Sequence, residues 1–212
     1  GPMFHLPIAL GLLMKSDQIP ENCLHDTLAV GELSLSGNLR RTAGILPITA
    51  FALTKGFKNI VVPAANAAEA CIVEGINIIP ANNLKTLIEH LRGESKIEFA
   101  KDRQHRKITT PPFAWHFEDI NGHEYAKRAL TIAAAGGHNV LLYGPPGSGK
   151  TLLARSLQSI LPPLSFEDAV EVTKIYSVAG KLSASESLIH IPPFRAVHHT
   201  SSTISLVGGG AI

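Results

Sequence analysis

The chain has 212 residues, 45% of them hydrophobic and 17% charged, with a formal net charge of +2. This is ordinary globular composition, of a length for one large or two small domains, and it excludes a low-complexity chain. A charge so near zero is too small to argue for nucleic acid by itself, although a local basic face can sit inside a near-neutral total.

Gly1-Pro2 reads as the remnant of a cleaved tag and is set aside. The apolar stretch Phe4 to Lys15 predicts a helix packed in a core. It is too short to span a bilayer and lacks the basic flank of a signal peptide, so no membrane association is expected. Cys23 and Cys71 lie far apart and outside any C-x-x-C pattern, which reads as buried reduced thiols in a cytoplasmic protein and leaves a disulfide as the alternative. Val30 to Ser36 alternates weakly and ends at a turn, Ser36-Gly37-Asn38. Ile45 to Lys55 predicts a helix, with Pro47 in its first turn and Gly56 past its end. Lys58 to Val62 predicts a β-branched strand stopped by Pro63, and Ala64 to Val73 an alanine-rich helix. Ile76 to Ile79 reads as a second strand, stopped by Pro80. Leu84, Leu87, Ile88 and Leu91 fall at i, i+3, i+4 and i+7, an amphipathic helix capped by Asn83. This alternation predicts an α/β domain over residues 3–92 with some parallel strand pairing.

Residues 93–112 are rich in charge and close on Thr109-Thr110-Pro111-Pro112, an interdomain linker. Its cations Lys101, Arg103, Arg106 and Lys107 either stay solvated or touch nucleic-acid phosphates. Trp115 and Phe117, beside it, are expected to pack the domain interface rather than stack on bases. Residues 113–212 form the second domain. Ala126, Ala129, Leu130 and Ala133 give a helical face that ends at Gly136-Gly137. Asn139 to Tyr143 reads as a buried strand, Thr151 to Leu161 as a helix ended by Pro162-Pro163, and Phe166 to Tyr176 as a helix capped by Ser165.

Between the strand and the helix stands Gly144-Pro145-Pro146-Gly147-Ser148-Gly149-Lys150-Thr151, a complete G-x-x-x-x-G-K-[ST] motif. Glycines let successive N–H groups turn toward one anion, and the following helix points its positive end at the same place. The motif predicts that Gly144 to Leu152 hold the phosphates of ATP. Lys150 then reaches the β- and γ-phosphates, and the Thr151 hydroxyl ligates Mg²⁺.

Phe117-Glu118-Asp119-Ile120-x-Gly122 and Ala126-Lys127-Arg128-Ala129-Leu130, ahead of this loop, resemble the opening of an AAA+ module. Pro193-Phe194-Arg195-x-x-His198-His199-Thr200, followed by Leu206-Val207-Gly208-Gly209-Gly210, is similar to magnesium-chelatase-like AAA+ proteins. Gly31 to Gly37, the next helix, and Gly56 to Pro63 resemble a Lon-protease-type domain. The combination resembles the YifB/ComM family: a Lon-like α/β domain followed by a partial P-loop AAA+ α/β domain.

That resemblance implies an ATP-dependent DNA motor, a hexameric branch-migration helicase of natural transformation. It implies branched or single-stranded DNA and further copies of the chain as partners, and ATP with Mg as cofactors. The alternatives are a magnesium-chelatase-type motor subunit and a Lon-like assembly module without turnover. By the resemblance, Asp119 and Ile120 contact adenine through their backbone. Arg195, His198, His199 and Thr200 either line a pore loop that touches DNA or pack against the rest of the domain. Metal ligation by the two adjacent histidines lacks a third ligand at suitable spacing. The Lon-type dyad needs a Lys where this chain has Leu46, so no proteolysis is expected. Walker B and the arginine finger are expected beyond Ile212, which leaves no catalytic residue here and predicts that the chain binds nucleotide without hydrolysing it.

Overall fold

The computed structural model describes residues 1–101, 113–183, 186 and 188–197. The chain forms two compact units. The first draws on residues 1–109 and 165–190, the second on residues 110–164 and 191–212.

The first unit is built on three parallel strands, β1 (Thr27–Ala29), β4 (Asn59–Pro63) and β5 (Asn77–Ala81), in the order β1-β4-β5. A central parallel strand covered on both faces needs a continuous apolar run. β4 supplies one in Ile60, Val61 and Val62, all fully buried. Ile60 and Val62 pack on one face with Ile45 and Ala52 of α2 (Ile45–Thr54). Val61 packs on the other face with Leu6 and Leu10 of α1 (His5–Lys15) and Leu87 of α4 (Leu84–Leu91). The fold is thus mixed α/β with a parallel sheet. A two-stranded hairpin, β2 (Glu32–Leu33) with β3 (Leu39–Arg40), turns through Gly37 at φ +79°.

Several sequence expectations need adjustment. β4 ends at Pro63 as expected, but Pro80 does not stop β5 and lies within it. Pro63 is the last residue of β4, and β5 is an edge of this sheet, where a missing N–H is tolerated. The alanine-rich stretch shortens to a 3-10 turn and one turn of helix, α3 (Ala67–Ala70). The start of the charged stretch is not all solvated linker: Ile97 packs on the core and the Ala100 N–H donates to Ile78 O of β5 at 2.8 Å. Residues 102–112, with Arg103, Arg106 and Lys107, lie outside the described residues. The two cysteines are not joined in a disulfide, and burial pushes the Cys23 thiol pKa up. Among the described residues no helix is long and apolar enough to cross a membrane.

The span 113–212 is interrupted by an excursion, residues 165–190, that packs with the first unit. Its helix α7 (Phe166–Val178) starts with Ser165 Oγ accepting from the Asp168 N–H, and it lies on α2. The buried face of α7 is Ala169, Thr173 and Ser177, small residues at a spacing of four that let the helix approach closely. Ser177 donates to Glu69 Oε1 and accepts from the Gly44 N–H at 3.0 Å. Glu69 Oε1 also accepts from the Leu46 N–H, and Oε2 from Asn66 Nδ2, both at 3.0 Å. Gly44, the N-cap of α2, has no side chain to offer the first-turn amides. Glu69, only 3% exposed, does that work with a negative charge at the positive end of the helix. Ser177→Ala is expected to cost about 1.5–3 kcal/mol, because it strips a hydrogen bond from a buried carboxylate. Urea denaturation checks this, and a loss below about 0.5 kcal/mol contradicts it.

Candidate phosphate-binding site

In the second unit, Ile120, Leu130 and Leu153 form a small core, with Phe117, Ala126, Leu142, Leu152 and Leu157 packed around it. Leu130 belongs to α5 (Glu124–Gly136) and Leu153 to α6 (Lys150–Ser156), which continues as a 3-10 turn through Ile160. Phe117 N–H donates to Ser159 Oγ at 2.9 Å and ties the entering segment to the end of that turn. This core fixes the stem on which the glycine loop stands.

The expected buried strand at Asn139–Tyr143 does not form: these residues have no strand partner, and Leu141 and Tyr143 are 91% and 98% exposed. A strand is defined by its ladder, and the second unit supplies no other strand among the described residues. The period-two pattern persists without the ladder, since Leu142 turns into the core while its two neighbours face out.

The loop reaches α6 through backbone that only glycine adopts readily. Gly144, Gly147 and Gly149 have φ of +158°, +79° and +76°. At Gly144 a Cβ would lie 3.3 Å from Ser148 Oγ, so a side chain there would crowd the loop. Lys150 folds back over the loop, its Nζ donating to Gly144 O at 2.9 Å, Pro145 O at 2.6 Å and Ser148 Oγ at 3.3 Å. The ammonium is thus satisfied by neutral carbonyls, which an anionic phosphate oxygen can displace with a stronger, charge-assisted bond. Ser148 N–H donates to Pro145 O at 3.4 Å, and Leu153 N–H to Gly149 O at 3.0 Å as the first bond of α6. Thr151 is exposed at the start of that helix, while Leu152 is half-buried against the core. Pro146 and Gly147 are exposed at the loop tip.

The remaining candidates are scattered. Ile120 is buried in the core and Asp119 is exposed on the turn before it. Arg195 lines an open cleft with Lys150, Thr151, Arg155 and Phe194, so it stands beside the loop. Arg155, which sequence reasoning passed over, lines the same cleft; the only signal for it was its place one turn after Thr151 on α6. His198, His199 and Thr200 lie outside the described residues. Among the described residues no three His, Cys, Asp or Glu side chains cluster as a metal site. Leu46, at the position of the Lon-type Lys, is fully buried in the first unit.

The class follows from comparison with known families. The family described as "Magnesium chelatase, subunit ChlI" matches residues 116–212, and "Subunit ChlI of Mg-chelatase" matches residues 1–66. The relatives narrow the class. An uncharacterized protein of Mycobacterium tuberculosis is 42% identical over 211 residues, covering 100% of this chain and 41% of its own length. The competence protein ComM of Haemophilus influenzae is 38% identical over 217 residues, 100% of this chain and 42% of its own. The Escherichia coli protein YifB is 38% identical over 212 residues, 100% of this chain and 41% of its own. The chain belongs to the YifB/ComM family of magnesium-chelatase-like proteins, and it spans about two fifths of the length of these relatives.

Lys150→Ala removes the ammonium that joins three acceptors of the loop. It is expected to speed amide exchange over residues 144–149 and, on the reading of the loop as a nucleotide site, to weaken Mg·ADP binding by at least about a hundredfold. Exchange mass spectrometry and a fluorescent-nucleotide titration check the two effects.

Proposed function

We propose that this chain carries the phosphate-binding half-site of an AAA+ ATPase. In the whole protein that ATPase is a cytoplasmic, ring-forming motor, a hexamer, that acts on branched or single-stranded DNA. One observation carries the ATPase reading: a complete glycine loop whose Lys150 already reaches back over the residues that would cradle phosphate. Polyphosphate fits the donor set, namely turned backbone amides, one ammonium and the exposed Thr151 hydroxyl at the head of α6. Thr151 is the residue present to hold Mg²⁺, which would neutralise charge on the bound triphosphate. Ser148 and the Gly144 and Pro145 carbonyls release Lys150 as phosphate takes their place. Turnover requires an acidic strand and a neighbouring arginine, so binding without hydrolysis is the activity proposed for this chain alone.

The DNA reading is supported by the relative named competence protein ComM. The first unit, with its parallel sheet and hairpin, serves in this reading as a Lon-like scaffold without a protease dyad. A second reading, a chelatase motor, is favoured by the two family matches and by the magnesium-chelatase 67 kDa subunit of Heliobacterium mobile, 45% identical over 60 residues that cover 27% of this chain and 8% of that protein.

ATP hydrolysis by the full-length protein separates the two. Four-way-junction DNA is expected to stimulate hydrolysis several-fold at low salt, with the effect falling as salt rises, because phosphate contacts release counterions. Hydrolysis indifferent to DNA at both salts moves the reading to the chelatase class.

A further inference from the structure

On the reading of the glycine loop as a nucleotide site, we propose that His123 is a further nucleotide-contacting residue, its imidazole donating to the polyphosphate held by Gly144–Thr151. His123 is the N-cap of α5, yet its side chain makes no capping hydrogen bond. Only its carbonyl serves the helix, accepting from the Lys127 N–H at 2.8 Å. Its backbone sits at φ +59° and ψ +33°, a left-handed conformation. Among the described residues only Asp17 and Asp26 share a positive φ without being glycine. Conformations of this kind are held where the surroundings fix them, and they gather at functional sites.

The imidazole is directed at the loop. A Cβ placed on Gly149 would lie 3.4 Å from His123 Nε2, so the ring nitrogen stands against the backbone that leads into Lys150. Gly149 is also the residue whose left-handed φ turns the chain into α6. The side chain is exposed, leaving its ring edge open to an incoming group. A neutral imidazole protonated at Nε2 offers one N–H donor, and a phosphate oxygen is the acceptor a glycine loop brings to that spot. His123 would therefore close on the polyphosphate from α5 while Lys150 and Thr151 close from α6. Gly122, at φ +71°, precedes it.

The alternative is a wedge that merely props Gly149, and the test distinguishes the two. His123→Gly relieves the left-handed strain, so in the intact chain it should leave the melting temperature unchanged or higher. The same variant should weaken Mg·ADP binding about tenfold. His123→Asn tolerates the left-handed backbone and keeps a donor, so it should recover part of the affinity. In the parent chain, the ¹⁵N-imidazole signals that His123→Gly removes should shift on saturation with Mg·ADP. Binding within twofold of the parent in His123→Gly, together with unmoved imidazole signals, overturns the assignment of His123, provided that Lys150→Ala abolishes binding. If Lys150→Ala binds like the parent, or the parent binds no Mg·ADP, the loop reading fails and His123 falls with it.

Discussion

The buried carboxylate of Glu69 is the interaction on which the first unit depends. It lies on the one-turn helix α3 and serves the first-turn amide of Leu46, the Asn66 amide and the Ser177 hydroxyl at once. Asn66 in turn exchanges two hydrogen bonds with the backbone of Thr42, each 2.9 Å. One charged group thus joins the approach to α2, the helix itself, the α3 turn and α7. A buried charge is tolerable only when its lone pairs are satisfied, and here they are satisfied by groups that must themselves be ordered. The geometry of α2 follows, and with it one whole face of the parallel sheet.

The second unit solves a similar problem with the opposite charge. Lys150 is held by carbonyls of its own loop, so the cation is kept near neutral acceptors instead of a carboxylate. A carboxylate there would be a poor arrangement for the phosphate site proposed above, because exchanging one anion for another gains little. Weakly held carbonyl contacts keep the loop shaped while leaving the cation available.

Much of this was legible in the sequence, and the failures have a common origin. The glycine loop announces itself because its backbone demands residue types that few other settings demand. The Asn83 and Ser165 caps were readable for the same reason, and each accepts from the amide three residues on. The three residues of β1 escaped notice because so short a strand shows no period, and it exists only by pairing with β4. Leu141 and Tyr143 were misread because apolar β-formers predict burial, and burial requires a neighbour that local pattern does not contain. Glu69 gave no signal at all. An acidic residue in an alanine-rich stretch reads as solvated surface, and two of its three partners lie 23 and 108 residues away. His123 was equally silent, since its left-handed backbone and its nearness to Gly149 are properties of the folded chain alone.

The path of α7 bears on how this architecture can be taken apart or recombined. The two family matches, residues 1–66 and 116–212, suggest modules separable by a single cut. The folded units do not obey that boundary, because the helix closing over α2 is encoded after the glycine loop. Splitting the gene at residue 101 would uncover the Ala169–Thr173–Ser177 seat on α2 and leave Glu69 short of one donor. The chain's modularity is therefore interleaved: neither unit can be transplanted as one contiguous cassette, and insertion or deletion in one alters the covalent frame of the other.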